Sequence, residues 1–456
     1  MNKDLYIFNS LTSQKELFKS TVPNQVSLYV CGPTVYSSSH MGHARSAIVF
    51  DCIVRFLKFI GLKTKYVRNF TDIDDKIITR ANEEGKKPEE ISEKYKLEYI
   101  EDMKSLGCND PDYQPSVSEN IPEIINLIKN IIDKEYGYES NGDVYFNVQK
   151  FKPYGKLSNQ SIDSILSNTR LEINPNKSYE LDFALWKKAK AGEPFWESPW
   201  GNGRPGWHIE CSSMSRKYLG DTFDIHGGGR DLIFPHHENE IAQSECVSNK
   251  KFANYWIHNG FLTVEGNKMA KSDGNFITVN ELKDRYHGEV IRLAMLMTHY
   301  RQPLNWTENS LLESKKILNK WFSFFSDIEI SKEDEEIVDE HILSALKDDI
   351  NTPKAISELH QLFKNCSKED SLSIQKFLNS ARLLGLMLCS PKKWMEWNIR
   401  ENNFDEIKIN ELIEKRNLLR DQGNYNDADK IRSQLDELGI ILEDKGGKTS
   451  WKQKTK

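Results

Sequence analysis

Val26-Ser27-Leu28-Tyr29-Val30-Cys31 sets Val26, Leu28 and Val30 against Ser27 and Tyr29, the period-two alternation of a strand, and Gly32-Pro33 ends it. A short Ser-rich loop leads to His40-Met41-Gly42-His43 and then to a helical pattern from about Gly42 to Ile60. Ala47, Ile48, Val54 and Leu57 give that helix an apolar face, and Gly61 is a fitting stop. Lys65 to Asn69 reads as the next strand. Strand, loop, helix, strand is the opening unit of a nucleotide-binding α/β domain with a parallel, Rossmann-like sheet.

Downstream, residues from about Ala81 to Asn130 are helical or irregular, and the stretch 114–194 lacks βα alternation and is rich in Asn, Ser and Pro, as an insertion would be. A second α/β portion opens near Gly206. Thr222 to His226 is strand-like, Gly227-Gly228-Gly229 reads as a sharp turn, and Pro235 to Val247 as a helix with Pro in its first turn. A hairpin over Tyr255–Val264 then leads to the polar loop Gly266–Asn275. From Thr307 the pattern is helical, with Leu311, Leu312, Leu318, Trp321, Phe322 and Phe325 as one core stripe and Ile374–Leu388 as another. A charged gap over Glu396–Glu406 precedes helices at Ile409–Asp421 and Tyr425–Leu438, then Ile440–Leu442 and a Gly-rich turn. The expected architecture is therefore an α/β Rossmann-like domain in two halves (1–113 and 195–265) split by an insertion (114–194). A signature-loop region (266–306), an α-helical bundle (307–400) and a small C-terminal α+β unit (401–456) follow.

The size, 456 residues, calls for two to four domains. With 29 % charged and 38 % hydrophobic residues the composition is that of a globular protein, and the net charge of -6 neither requires nor excludes a nucleic-acid partner. No run approaches the roughly 18 apolar residues of a membrane span, and Met1–Ser10 has no signal-peptide pattern. A cytoplasmic, membrane-free protein is expected, and a monomer, since no long apolar stripe is left for a partner helix. The seven cysteines are scattered and never form CxxC, which argues against a disulfide framework or a zinc ribbon.

Two motifs carry phosphate chemistry. His40-Met41-Gly42-His43 sits where a loop becomes a helix, and free N–H groups and partial positive charge at a helix N-terminus suit phosphate. Lys268-Met269-Ala270-Lys271-Ser272 places two lysines on a loop that can clamp a triphosphate and release it. Alone, the first motif is as readily a pair of surface histidines, and the second is more commonly a solvated basic loop. In order, separation and context the pair resembles the two signatures of class I aminoacyl-tRNA synthetases, with Met41 and Ala270 as departures. The resemblance implies ATP binding by His40, Gly42, His43, Lys268, Met269, Lys271 and Ser272, with His40, His43, Lys268 and Lys271 catalytic and Mg2+ on the phosphates.

His236 and Glu240, four apart on a helix, can face one metal ion, although a pair at that spacing is more often just surface polar residues. Spacing does not select Cys31 and Cys211 over Cys52 or Cys246, but the latter two read better as core. Longer blocks discriminate further: Cys31-Gly32-Pro33-Thr34-Val35-Tyr36, Asn69-Phe70-Thr71-Asp72-Ile73-Asp74-Asp75-Lys76, Gly203 to Ser212 and Phe234 to Glu240. These look like blocks of the cysteinyl-tRNA synthetases. The resemblance implies a Zn2+ held by Cys31, Cys211, His236 and Glu240, with Gly32, Thr71, Trp207 and His226 as candidates for the amino-acid pocket. It also implies L-cysteine, ATP and cysteine-specific tRNA as substrates. In the family 114–194 faces the tRNA acceptor end and the terminal unit the anticodon.

A zinc–thiolate contact would separate cysteine from serine, which an apolar pocket does only by ~100-fold, so no editing domain is expected. Arg416, Arg420, Lys430, Arg432 and the lysine-rich end are candidates for tRNA phosphates. Trp451 is either a base-stacking residue or part of a small core. The rival reading is a cysteine-adenylating ligase acting on a small amine or aminosugar. Such relatives generally lack the extra C-terminal unit present here. A non-catalytic RNA-binding derivative is the third reading, against which both signature motifs count.

Overall fold

In the computed structural model, which describes residues 4–168, 174–269, 276–328, 337–437, 440–445 and 448–453, the chain forms two units, Met1–Trp321 with Ile328–Leu388 and Phe322–Asp327 with Cys389–Lys456. The first unit is organised by a four-stranded parallel sheet. Its labelled elements are β1 (Gln25–Val30), α1 (Met41–Phe59), β2 (Lys63–Arg68), α2 (Trp207–Leu219), β3 (Phe223–Gly229), α3 (Glu238–Ser248) and β4 (Ala253–Asn259). The spatial order is β4-β3-β1-β2, with Tyr29 of β1 aligned on Val67 and on His226. Val26, Leu28, Tyr29 and Val30 are all buried, as expected for a parallel strand covered on both faces. The polar start of β1 is satisfied locally, because Asp224 accepts from the Ser27 backbone N–H (2.8 Å) and hydroxyl (2.7 Å).

Three readings of the second half are corrected. Gly227-Gly228-Gly229 is not a turn but the end of β3. A Cβ on Gly227 would lie 2.2 Å from the Phe50 ring of α1, and one on Gly228 2.9 Å from the His237 ring. These glycines allow close packing of rings on a strand. Tyr255–Val264 is not a hairpin: Tyr255 belongs to β4, parallel to β3, whereas Leu262–Val264 pairs with Leu304–Trp306 in a separate small sheet. The helix expected from Pro235 begins later, because Phe234 has extended angles (φ -137°, ψ 133°) within a π-type turn, Ile233–His237, and α3 starts at Glu238.

The segment that lacks βα alternation contains the helix Ile121–Asp133 and, with Gly203–Pro205, an antiparallel sheet of Gly137–Ser140, Asp143–Phe146, Phe183–Lys188 and Gly203–Pro205. Ile124, Ile128, Phe146, Leu185 and Trp186 share one core cluster with Ile209 and Met214 of α2 and Ile241 of α3. The inserted segment thus packs directly on the helices that carry candidate ligands. Cys52 and Cys246 are buried, as read, but Leu312 of the first helical stripe is 52 % exposed.

In the second unit the charged gap Glu396–Glu406 is continuous helix, within Pro391–Asp421. The helix Tyr425–Glu437 and the antiparallel strands Ile440–Lys445 and Lys448–Gln453 follow. Their core is small: Ile409, Ile413, Ile431, Leu435 and Ile440, with Leu442 and Trp451 packed against it. Trp451 is thus part of that core, and its indole N–H donates to Asn410 (3.2 Å). Arg416 is buried and bonds Asn417, so it is not an exposed phosphate contact, whereas Arg420, Lys430 and Arg432 are exposed. Lys454 and Lys456 lie outside the described residues. Among the described residues no helix is long and apolar enough to cross a membrane.

Candidate metal and nucleotide site

Because β1 lies between β2 and β3, the carboxyl ends of these strands flank a crevice at the point where connections leave in opposite directions, where α/β sheets bind ligands. Cys31 follows β1 there, its N–H donating to Gly227 O (3.1 Å). At Gly32 a Cβ would lie 1.6 Å from the Asn69 carbonyl oxygen, so only glycine lets the two strand ends approach. Cys211 lies in α2, His236 in the π-type turn and Glu240 in the first turn of α3.

The structure brings these four side chains together: the ligating atoms of Cys31, Cys211, His236 and Glu240 all lie within 4.8 Å of one another. Cys31 Sγ is 3.5 Å from His236 Nε2 and 3.4 Å from Glu240 Oε1, and His236 Nε2 is 3.1 Å from Glu240 Oε1. Ligands around a tetrahedral zinc at its usual bond lengths are about 3.3–3.8 Å apart; the separations among Cys31, His236 and Glu240, 3.1–3.5 Å, lie near that range, and the donor types suit zinc. Burial pushes the thiols of Cys31 and Cys211 up and the His236 imidazole well down. A cation among them would reverse the preference for neutral thiols by stabilising thiolate.

A shell of further histidines surrounds the set. His226, fully buried and stacked on Trp256 (4.6 Å), approaches Glu240 Oε2 (2.8 Å). His237 Nε2 lies 3.4 Å from Cys31 Sγ, and its Nδ1 is bonded to His258 (2.8 Å), which in turn meets the Ser10 hydroxyl (2.8 Å). His208 bonds His236 Nδ1 (2.9 Å), fixing the ring whose Nε2 faces the cluster. Cys31, His226, His237 and Glu240 form a second, overlapping group that meets the same distance limit. The sequence reading missed His208, His237 and His258. His237, three residues before Glu240, had a spacing signal, whereas nothing local marks His208 or His258.

The pocket candidates occupy different places. Trp207 is 40 % exposed and stacks on the His236 ring (4.3 Å), so it is not a core tryptophan. His226 is buried behind Glu240. Thr71 is also buried, and its hydroxyl donates to Glu210 (2.8 Å). Burial, with Asp74 and Asp72 adding to it, pushes the Glu210 carboxyl well above the usual range.

The HxGH segment opens α1 at the same sheet edge. His40 is its N-cap, and its Nδ1 accepts from Gly42 N–H (3.0 Å), while His43 Nδ1 accepts from His40 N–H (3.4 Å). With both Nδ1 atoms accepting, each neutral ring carries its proton on Nε2. The rings stack at 3.7 Å, and burial together with His40 and Arg68 holds His43 well below the ordinary histidine range.

Both flanks of the second motif are tied down. Asn267–Lys268 pairs with Thr263–Val264, and the returning chain bonds the HxGH segment through Met41 N–H to Ile277 O (3.2 Å) and Val279 N–H to Ser39 O (2.8 Å). The Met269 methyl lies 4.0 Å from where a Gly42 Cβ would be. The Lys268 side chain, Lys271 and Ser272 lie outside the described residues.

This fold is that of class I aminoacyl-tRNA synthetases. A Mycobacterium tuberculosis methionyl-tRNA synthetase bound to methionyl-adenylate superposes with TM-score 0.51 at 12 % identity, covering 79 % of this chain and 89 % of that one. An Agrobacterium radiobacter LeuRS–tRNA–LeuAMS complex does so with TM-score 0.57 at 9 % identity, covering 80 % and 84 %. The family model for the catalytic domain of class I (C) tRNA synthetases matches residues 17–316, and the DALR domain matches 341–388. Relatives called cysteine–tRNA ligase align from end to end. That of Pelagibacter ubique is 43 % identical over 100 % of both chains, and that of Geobacillus 46 % identical over 98 % of this chain and 99 % of its own. The Aquifex aeolicus relative is 42 % identical over 99 % of both. The chain belongs to the cysteine–tRNA ligase family of class I synthetases, in agreement with the resemblance read from its motifs.

Proposed function

We propose that this chain is a cytoplasmic cysteine–tRNA ligase that converts cysteine and ATP to cysteinyl-adenylate and pyrophosphate and then passes the cysteinyl group to tRNA. The single observation that carries this reading beyond family membership is the convergence of two thiols, an imidazole and a carboxylate at the sheet edge where α1 presents His40 and His43. Cys31, Cys211, His236 and Glu240 are the residues that would hold a zinc ion. When bound, that ion would favour a thiolate ligand, which cysteine forms far more readily than serine forms an alkoxide.

The chain's own groups do the rest by positioning and charge. The substrate carboxylate attacks the α-phosphorus of ATP, and pyrophosphate leaves. His40 and His43 present Nε2–H donors to phosphate oxygens, aided by the N-terminus of α1. Lys268 and Lys271 neutralise charge on the departing pyrophosphate, with Mg2+ on the phosphates. A ribose hydroxyl of the terminal tRNA adenosine then attacks the adenylate carbonyl and releases AMP. Trp207, stacked on His236, walls the pocket. The segment 114–194 faces the acceptor end and 401–456 contacts the anticodon, both by analogy with the family.

Charging purified bulk tRNA with labelled cysteine, beside labelled serine, tests the reading. Cysteine label alone on tRNA is the expected result. Absence of label, with cysteine-driven pyrophosphate release intact, would replace it with a small-molecule ligase.

A further inference from the structure

Arg45 lies two residues after His43 in α1 and is 1 % exposed. Its Nε and Nη1 have no hydrogen-bond partner among the described residues. Burial, with no carboxylate to offset it, pulls its guanidinium down to about 10. A buried guanidinium with one nitrogen satisfied is costly, and an apolar side chain of similar length would hold α1 at lower cost. A local rule broken in this way points to a task in the site beyond stability.

The satisfied nitrogen shows the task. Nη2 donates to Gln302 O (2.5 Å), with Tyr300 O (3.3 Å) and His299 O (3.4 Å) beside it. These carbonyls belong to the turn between the helix Gly288–Leu296 and the strand Leu304–Trp306. The same turn meets the end of β4: Gly260 N–H donates to Tyr300 O (2.7 Å), and a Cβ on Gly260 would lie 2.4 Å from Gln302 O. Leu304–Trp306 then pairs in parallel with Leu262–Val264, and Thr263–Val264 pairs with Asn267–Lys268. Glu265 N–H to Trp306 O (3.1 Å) and Gly266 N–H to Asn305 Oδ1 (2.7 Å) close the small sheet. A continuous ladder thus runs from the Arg45 side chain to the backbone of the first lysine of the second motif. The chain leaving that motif is tied to the HxGH segment by the backbone bonds of Met41 and Val279, whereas on the entry side the polar link to α1 is made by a side chain, Arg45.

We propose that Arg45 is a positioning residue for adenylate formation. It sets the strand that delivers Lys268 at a fixed distance from the His40–His43 end of α1, so that both motifs grip one triphosphate. Arg45 acts through Lys268 and not on the substrate. The inference rests on the reading of the chain as an ATP-using ligase and on the role proposed for Lys268.

The test is cysteine-dependent ATP–pyrophosphate exchange by the full-length protein, with equilibrium cysteine binding and zinc content measured in parallel. Arg45→Met keeps the length of the side chain and removes its donors. Its kcat for exchange should fall by about 10–100-fold, the scale of a misplacement of about 1 Å, with cysteine affinity within about twofold of the wild type and zinc retained. Arg45→Lys keeps a donor for Gln302 O and should lose less than about tenfold. Gly260→Ala presses on Gln302 O from the other side and should repeat the Arg45→Met pattern, and it carries the test if Arg45→Met does not fold. A double-mutant cycle separates positioning from general stability: in a Lys268→Ala background Arg45→Met should cost less than about threefold, because the group it positions is gone. Losses that multiply in that background, or cysteine binding that falls as much as exchange, would make Arg45 a structural residue and overturn the proposal. So would undiminished exchange in Arg45→Met. Wild-type protein that catalyses no exchange would instead overturn the proposed function, and this inference with it.

Discussion

Around Cys31 the side chains that matter are buried and polar, and each is held by another: His226 by Glu240, His236 by His208, His237 by His258, Thr71 by Glu210. In the C-terminal unit the order is reversed. A handful of apolar side chains, centred on Leu435, forms the interior, while Arg420, Lys430 and Arg432 stand in solvent. On the proposed function, the difference follows from what each region would have to distinguish. Sulfur and oxygen differ by little in size, so telling them apart needs fixed, desolvated ligands. A polyanion of many phosphates is met by exposed charge on a light scaffold. The first plan makes single substitutions chemically specific, and the second makes them act through stability.

Lys271→Ala should have the largest effect on the chemical side. Adenylate formation, followed as cysteine-dependent ATP–pyrophosphate exchange, should fall by about 10²–10³-fold, with equilibrium cysteine binding unchanged. Equal losses in both would remove the assigned role. Leu435→Ala probes the other region. Truncating this fully buried residue should cost about 2–5 kcal/mol, a large share of what so small a core supplies. The expected outcome is loss of tRNA charging with exchange intact. Exchange that falls in parallel would erase the contrast between the two regions.

The smallest expected effect is on pH dependence. His287 caps the helix Gly288–Leu296 by accepting from Glu289 N–H (3.3 Å), and burial pushes its imidazole down to about 4. Between that value and the ordinary 6.5 the unfolded chain binds the extra proton, so stability is full above about pH 6.5 and declines as pH falls towards 4. His287→Asn keeps a capping acceptor without that proton. It should remove about 1–2 kcal/mol of the acid-side loss in urea titrations, after allowance for partial exposure. An unaltered pH slope would show that the cap does not titrate in this range.

Much of the sheet was legible because β1, α1 and β2 obey their periods with apolar residues that are in fact buried. The errors cluster where a residue's local signal has a tertiary cause. Gly227 and Gly228 look like a turn because their small size serves the rings of Phe50, distant in sequence, and of His237 in the following turn. Glu396–Glu406 looks like a gap because its charges hide a continuous helix. The four candidate ligands were reached through the resemblance, since spacing offered only the His236–Glu240 pair. The partnership of Thr71 with Glu210, separated by 139 positions, has no sequence signature at all.

The proposed reading of the substrate's sulfur by one metal-centred cluster is tested by the zinc content of Cys211→Ser protein together with its discrimination between cysteine and serine. The wild type should purify with zinc, and the variant should lose most of it along with its preference for cysteine. Full zinc retention with discrimination intact would contradict it, and would move the metal to the overlapping group of Cys31, His226, His237 and Glu240.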